Sequence, residues 1–490
     1  MCQQIFGERT FEISVPSLPP GVVVNSPDVL EYVLRNEASI TKGEFFRARS
    51  WDLFGYGIIN ATGDLWRAQR KAGLKFFSGT NLEIMIEDVL PEVYQDATIK
   101  TLREAAEDRS VVDLQKVFHD LTTTVVGHMA YDMDIDASSP FSKAFDHASS
   151  QIGFRFQNPL FRLTEFFAGS SFRASLVEVK RFGKQIVTEA RKRRAKEAFE
   201  SLVNNSHEEE DKFQQQREDP NADHIGPGFG TLIDSLIESL AEPTIVADAA
   251  LNFLSAGRDT TAQSFTWTFY ALLRNPESLR QVQNEIDAVS NVNDKAIDIN
   301  VSQLQPGSLP YTTAVFYESL RLYPPVPFEI KQTVQDVTLP DGTSLPTGAI
   351  VVWCIWALNR STATFGPDAH EYRPDRWLER DNDGRLHFTG NNRSVGEFPV
   401  FNGGPRSCLG KKMAEMMASW VLVRFLADWD FDEVNDGLNM DSDTGERRSA
   451  NSLTLPMEGG LPVRVRKRKV RSSGEYVPPS VEAEDEIRIG

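Results

Sequence analysis

Cysteine is scarce, with three in 490 residues, at Cys2, Cys354 and Cys408. An odd, sparse set builds no disulfide framework and suits a reducing compartment. Histidine is scarce too. The seven present form no HExxH motif and no Cys/His cluster, which argues against a zinc site. Long apolar runs are missing. The longest, Ala349–Leu358, has ten residues, against the ~18–20 needed to span a bilayer, and reads as a buried core segment. No charged-then-apolar signal peptide opens the chain. Positive charge is in deficit: 52 Lys and Arg against 70 Asp and Glu give a net −18. Such a chain repels nucleic acid and anionic lipid, so neither is expected as a main partner. Part of the acid is local, in Glu208–Asp211 and Glu482–Glu486.

What is present is ordinary globular material, 40% apolar and 25% charged, which excludes a collagen, a coiled coil or wholesale disorder. No internal repeat is found. Ile5–Val15 reads as strand. Gly21–Arg35 opens as a strand and turns helical behind an Asn25–Ser26–Pro27 cap. Asn81–Ala105, Val111–Met133 and Phe172–Leu202 carry helical spacing of apolar residues. The polar stretch 204–230 is expected to be a surface loop or disordered insert. Pro243–Asn275 gives a long helix, closed by Asn275–Pro276, and Pro276–Val289 and Ser308–Tyr323 are further helices. The texture then changes. Val334–Pro346 alternates about Asp341–Gly342, a hairpin signal. Ala349–Trp356 is β-rich, and Gly410–Ala427 is a last long helix. Ser452–Arg466 reads as a second hairpin, and 471–490 as a disordered tail. The expected fold is mainly α with small β-sheets at its edge, one domain over residues 1–470.

The strongest local signal is Phe401-Asn-Gly-Gly404-Pro-Arg406-Ser-Cys408-Leu-Gly410. A thiolate that ligates iron needs backbone wrapped closely about its sulfur. Glycine permits that approach and a positive φ. Amide N–H groups aimed at sulfur, and the start of the following helix, stabilise its charge. Arg406 suits a carboxylate. The plain alternative is a structural cysteine in a glycine-rich turn. The whole pattern F-x-x-G-x-R-x-C-x-G resembles the signature of the cytochrome P-450 superfamily, whose haem iron takes a cysteine thiolate.

Three further segments carry the resemblance in order, so that it covers the chain from about Ile5 to Lys467. Glu318-Ser-Leu-Arg321 shares a helix face at i,i+3. In the family this pair joins an arginine from a later loop, which resembles Tyr372-Arg-Pro-Asp-Arg376-Trp377 and so supplies Arg376. Ala256-Gly257-Arg258-Asp259-Thr260-Thr261 sits mid-way along the longest helix, where Gly and Thr are poor choices. The resemblance makes Asp259 and Thr260 the acid–alcohol pair that passes protons to dioxygen. Trp66-Arg-Ala-Gln-Arg70 resembles the segment whose Trp and Arg hold a haem propionate. One departure stands out: Lys331 occupies the place of a usual propionate-binding arginine, and offers a point charge rather than a fork.

The resemblance implies the cytochrome P-450 fold, with its long central helix over haem b (iron protoporphyrin IX). It implies a monooxygenase that inserts one atom of O2 into an apolar substrate. Cys408 would be the axial iron ligand, with Arg406, Trp66, Arg70, Phe401, Gly404 and Gly410 around the haem. No flavin or nicotinamide fingerprint is present. Electrons are therefore expected from NADPH through a separate reductase, docked near Lys71, Lys411 and Lys412. Gly57-Ile-Ile-Asn60, Asn252–Thr261 and Leu453–Val463 resemble the fungal and plant branch that hydroxylates fatty acids and alkanes. Phe54, Ile58, Ala256, Val326, Phe328 and Leu455 are candidate pocket lining. The same branch includes enzymes that oxidise polyketides and other secondary metabolites. Relatives sit on the cytosolic face of the endoplasmic reticulum behind an anchor helix and hinge. Neither is recognised ahead of Ile5, which motivates a second reading, a truncated haem-binding pseudoenzyme. A third, a peroxide-using or isomerising relative, is disfavoured by the intact acid–alcohol pair.

Overall fold

The computed structural model describes residues 6–14, 19–211, 230–289, 299–434, 437, 439–442 and 444–468. The expected tail and most of the polar insert lie outside these. Near the N-terminus, β1 (Phe11–Ile13) and β2 (Gly21–Val23) lead into α1 (Pro27–Arg35), which starts with Pro at its first turn and buries Val29, Leu30, Val33 and Leu34. A short β3 (Ile40–Thr41) precedes α2 (Gly43–Phe54) and α3 (Gly63–Phe76). Residues 79–108 are helical, with π-helical turns at Met85–Val89 and Tyr94–Thr98 on either side of Pro91. Proline lacks the N–H that an α-helix interior needs, and the wider turns accommodate that loss.

Val111–Met133 does not begin as a helix. Val111–Asp113 is β4, and the helix α4 (Leu114–Tyr131) starts at an Asp113 cap whose carboxylate accepts from the Gln115 N–H at 2.9 Å. The helical spacing was right; the exposed β-branched pair at its start is strand. Next come α5 (Pro140–Gln157), α6 (Phe161–Ala168) and α7 (Ser170–Asp211). Helix α7 runs through the first eight residues of the expected insert. A polar composition alone does not stop a helix, and residues 204–211 contain no Pro or Gly. Helix α8 (Leu232–Ser239) precedes α9 (Pro243–Arg274), the long central helix, and α10 (Pro276–Val289). Helices α11 (Pro310–Leu322) and α12 (Lys411–Asp428) complete the set used below.

The largest sheet has the order β1-β2-β8-β5-β3, where β5 is Glu329–Thr333 and β8 is Ile350–Trp353. The Asp341–Gly342 hairpin forms as expected, Val337–Thr338 pairing with Ser344–Leu345. The second hairpin does not. Pro462–Lys467 pairs with Trp429–Glu433 on one side and with β4 on the other. Alternation marked the strand but not its partners, which lie far off in sequence. The main core gathers around α9, nearly all of which is buried from Val246 to Leu272. Among the described residues no helix is long and apolar enough to cross a membrane.

Candidate haem site

The cysteine loop closes by a hydrogen bond from the Cys408 N–H to the Phe401 carbonyl at 2.8 Å, over a 3-10 turn at Gly404–Arg406. Gly404 has φ +58, and a Cβ there would lie 2.4 Å from the Leu34 carbonyl oxygen. Only glycine lets this loop rest on the end of α1. Gly410 precedes α12, and the N–H groups of Gly410 and Lys411 donate to the Cys408 sulfur. Burial raises the thiol pKa; these two amides and nearby Arg70 act against it. Cys408 nevertheless retains accessible surface. A sulfur that is both desolvated and accessible faces an enclosed space within the protein.

The central helix shows the same signature. Between Val246 and Leu272 only Ser255, Ala256, Gly257, Thr260 have appreciable surface. An accessible patch half-way along a helix through the core also faces an internal space. The two patches belong to neighbouring segments. A Cβ on Gly73 of α3 would lie 3.0 Å from both Leu409, next to the cysteine, and Phe253, one turn before Ala256. The donor set is thus a thiolate held by amides, an apolar surround and flanking cations. That set fits haem.

The cations are arranged around Trp66. The Arg406 guanidinium lies 4.5 Å from its ring centroid and that of Arg70 lies 5.6 Å away. Arg70 also donates to the Ser407 carbonyl at 2.9 Å and to its hydroxyl at 3.1 Å, bracing the cysteine loop. Arg406 donates to the Ala61 carbonyl at 2.9 Å and, through Nε, to Glu37 at 2.7 Å. Lys331 does not stand as a free point charge. It is buried, and its Nζ donates to the other Glu37 oxygen at 2.9 Å and to the Val33 carbonyl at 3.3 Å. Glu37 therefore bridges two of the cations expected for propionates. Nothing local in the sequence marks it; it follows α1 in a short polar loop.

Glu318, Arg321 and Arg376 come together with full burial of the carboxylate. Arg321 binds Glu318 through two nitrogens at 2.8 Å, and Arg376 adds a third contact at 2.9 Å. The Arg373 N–H and the Trp377 indole complete the shell at 2.8 and 2.9 Å. Arg321 also donates to the Asn359 and Glu371 carbonyls. The loop that precedes the cysteine is thereby fixed to α11.

On α9, the Thr260 hydroxyl donates to the Ala256 carbonyl at 2.7 Å. Asp259 is buried, and desolvation raises its pKa to about 6 against the opposing pull of Arg258. Arg258 itself was missed as a site residue. It reaches Asp146 of α5 at 3.0 Å and Thr123 of α4 at 3.1 Å. The polar run His119–Thr124 on an otherwise apolar helix was the available signal.

The candidate pocket residues separate. Ala256 belongs to the accessible patch of α9. Phe54 is 5% exposed and packs within the main core, and its carbonyl accepts from Asn252 at 2.9 Å. Asn252 also accepts from the Ile59 N–H, which draws the 55–60 loop onto α9. Ile58 and Leu455 are half-buried against the core, and Leu455 is strapped to α9 by Gln263 and Trp267. Val326 is half-buried. Phe328 opens into a cavity of about 210 Å³, beside Ile13, Phe45, Phe156, Ile330 and Val352.

Comparison with known proteins agrees with this geometry. The cytochrome P-450 family model matches residues 18–456. The chain is 28% identical to cytochrome P-450 94A1 of Vicia sativa, over 95% of this chain and 85% of that one. It is 30% identical to cytochrome P-450 CYP94D109 of Paris polyphylla, over 92% and 86%. It is 29% identical to the cytochrome P-450 monooxygenase cyp1 of Mycosarcoma maydis, over 92% and 69%.

Proposed function

The chain belongs to the cytochrome P-450 family of haem monooxygenases, and from that premise we propose that it hydroxylates C–H bonds of a fatty acid or similar alkyl molecule. The observation that carries the substrate class is the apolar character of the surfaces a ligand could touch. The accessible patch of α9 presents Ala256 and Gly257 beside two small hydroxyl residues, Ser255 and Thr260, and the cavity at Phe328 is lined by apolar residues. An alkyl chain gains about 0.8 kcal/mol per buried CH2 and needs no polar anchor in such surroundings.

Cys408 is the proposed iron ligand, with Trp66, Arg70 and Arg406 toward the propionates and Phe401, Gly404 and Gly410 shaping the loop. When bound, haem supplies the redox chemistry that puts one atom of O2 into C–H and releases the other as water. The chain's own part is to hold charge and move protons. The Gly410 and Lys411 amides hold the sulfur's negative charge. Asp259, with a pKa of about 6, gains and loses its proton in the range just below neutrality. The Thr260 hydroxyl points its hydrogen at Ala256, which leaves its oxygen free to accept a hydrogen bond. Electrons come, on this reading, from NADPH through a separate reductase that docks on the face bearing Lys71, Lys411 and Lys412, with the enzyme held at the endoplasmic reticulum membrane.

The test begins with the carbon monoxide difference spectrum of the reduced protein beside Cys408→Ala. A red-shifted thiolate band that the variant loses supports the ligand assignment. Turnover of fatty acids with a reductase then supports the substrate class. Turnover of polyketides alone would replace that class while leaving the ligand assignment intact. A protein that takes up haem and shows the thiolate band, yet turns over no substrate with a reductase, would favour the pseudoenzyme.

A further inference from the structure

Two buried polar atoms face each other behind the acid–alcohol pair. His119 Nδ1 on α4 lies 4.0 Å from Asp259 Oδ1 on α9. Both are fully buried, and neither has a hydrogen-bond partner. Arg258 Nη1, 3.5 Å from the same oxygen, is a third such atom. Buried polar atoms without partners are rare, and each needs a reason.

The opposite ends of the two groups differ. The His119 side chain is 19% exposed. Its Nε2 has no hydrogen bond, yet is not among the buried unpartnered atoms, so it keeps accessible surface. The same holds for Asp259 Oδ2. Asp259 is adjacent to Thr260 and lies at i,i+3 from Ala256, on the stretch of α9 that bears the accessible patch. Two groups with two ends each are therefore set with their buried ends together and their other ends open. An imidazole in that position can take a proton on one nitrogen while giving up another from the second.

We infer that His119 passes protons from solvent to Asp259, so that the carboxyl is refilled after each proton it gives to the oxygen chemistry. This rests on the proposed role of Asp259 as a proton donor. The Nδ1–H bond breaks as an O–H bond forms on Asp259 Oδ1, and a proton from solvent adds at Nε2. Loss of the Nε2 proton to solvent and uptake of a solvent proton at Nδ1, with the ring swung outward, then restore the starting tautomer. The 4.0 Å gap closes by a small side-chain shift or by one intervening water; catalytic contacts are often this long before substrate binds. Neutral imidazole suits the task, because burial and Arg258 lower the His119 pKa to about 3 and no imidazolium persists. The charged groups around the pair are Arg258 on α9, Asp146 on α5 and Asp120 on α4. Arginine stays protonated and cannot relay in its place.

His119 acts through Asp259 and is a positioning residue, not a catalytic one. Its test is the hydrogen–deuterium exchange of the Asp259 carboxyl in the resting holoenzyme at pH 5. The exchange is followed by infrared absorption, and the band is assigned by its loss in Asp259→Asn. His119→Phe and His119→Gln are compared, each checked for its fold and its carbon monoxide band. We expect exchange slowed at least tenfold in every variant that folds. Wild-type exchange in any folded variant overturns the proposal. Should Asp259→Asn keep wild-type coupling of NADPH to product, the role of Asp259 itself fails, whatever the exchange shows.

Discussion

Glu318 and Asp259 are both buried carboxylates beside arginine, and their surroundings treat them in opposite ways. Glu318 accepts five hydrogen bonds from Arg321, Arg373, Arg376 and Trp377. Asp259 accepts none, and one of its oxygens is both buried and unpartnered. A carboxylate with every lone pair engaged is held fixed. One left short of partners holds its proton to higher pH and can give it away. The first arrangement serves position and the second serves proton transfer. In this chain they lie on α11 and α9, which pack against each other.

The comparison is broken most severely at Glu318. Glu318→Gln removes the charge from between two buried arginines and should cost about 3–5 kcal/mol, read as a fall in the urea midpoint. Glu37 tests an intermediate case, a carboxylate shared by Arg406 and Lys331. Glu37→Gln should cost about 1–3 kcal/mol and speed haem transfer to apomyoglobin. A loss as large as that at Glu318 would show that these cations lack other support.

Asp259→Asn should act with the opposite sign. The folded pKa, about 6, lies above the unfolded value of 3.8. The folded state therefore keeps a proton that the unfolded state has lost. That contribution is complete below about pH 4 and is gone once pH rises through 6. The variant escapes the loss. It should be more stable than wild type at pH 7.5, by up to about 3 kcal/mol, and close to it at pH 4. Thermal melts at the two pH values measure this. Should the variant be destabilised at pH 7.5, Asp259 would resemble Glu318 after all.

His119 gives the smallest effect, in the other pH window. Its folded pKa of about 3 lies below the unfolded 6.5. Wild type thus loses stability as pH falls from 6.5 toward 3. His119→Gln should melt higher than wild type at pH 5, by up to about 2 kcal/mol in stability, and equally at pH 8.

The sequence exposed those features whose residues are neighbours along the chain. The cysteine loop, the Glu318–Arg321 pair and the Ala256–Thr261 segment of α9 are each written within ten residues, and each was found there. Arg376 needed the family resemblance, since it lies 58 residues from Glu318. Glu37, His119 and Asp146 escaped because each acts on a partner far away in sequence and belongs to no local pattern. Phe54 shows why pocket lining is hard to read from sequence, because apolar character suits a core and a cavity lining equally well. The strand Pro462–Lys467 was legible as a strand, but its pairing with Trp429–Glu433 depends on how α12 returns the chain.

The rest of Gly404 on Leu34 has a consequence for the order in which the protein is made. The cysteine loop is held by Leu34, Glu37 and Arg70, residues synthesised more than 330 positions earlier. At a translation rate of about 5–20 residues per second, the early half of this seat waits on the order of 20–70 seconds for the late half. During that interval α1 has no loop to close against, and Glu37 has Arg406 and Lys331 still to come. Cofactor capture then belongs to the end of synthesis, when the ribosome has released enough chain for residues 401–410 to reach back across the molecule.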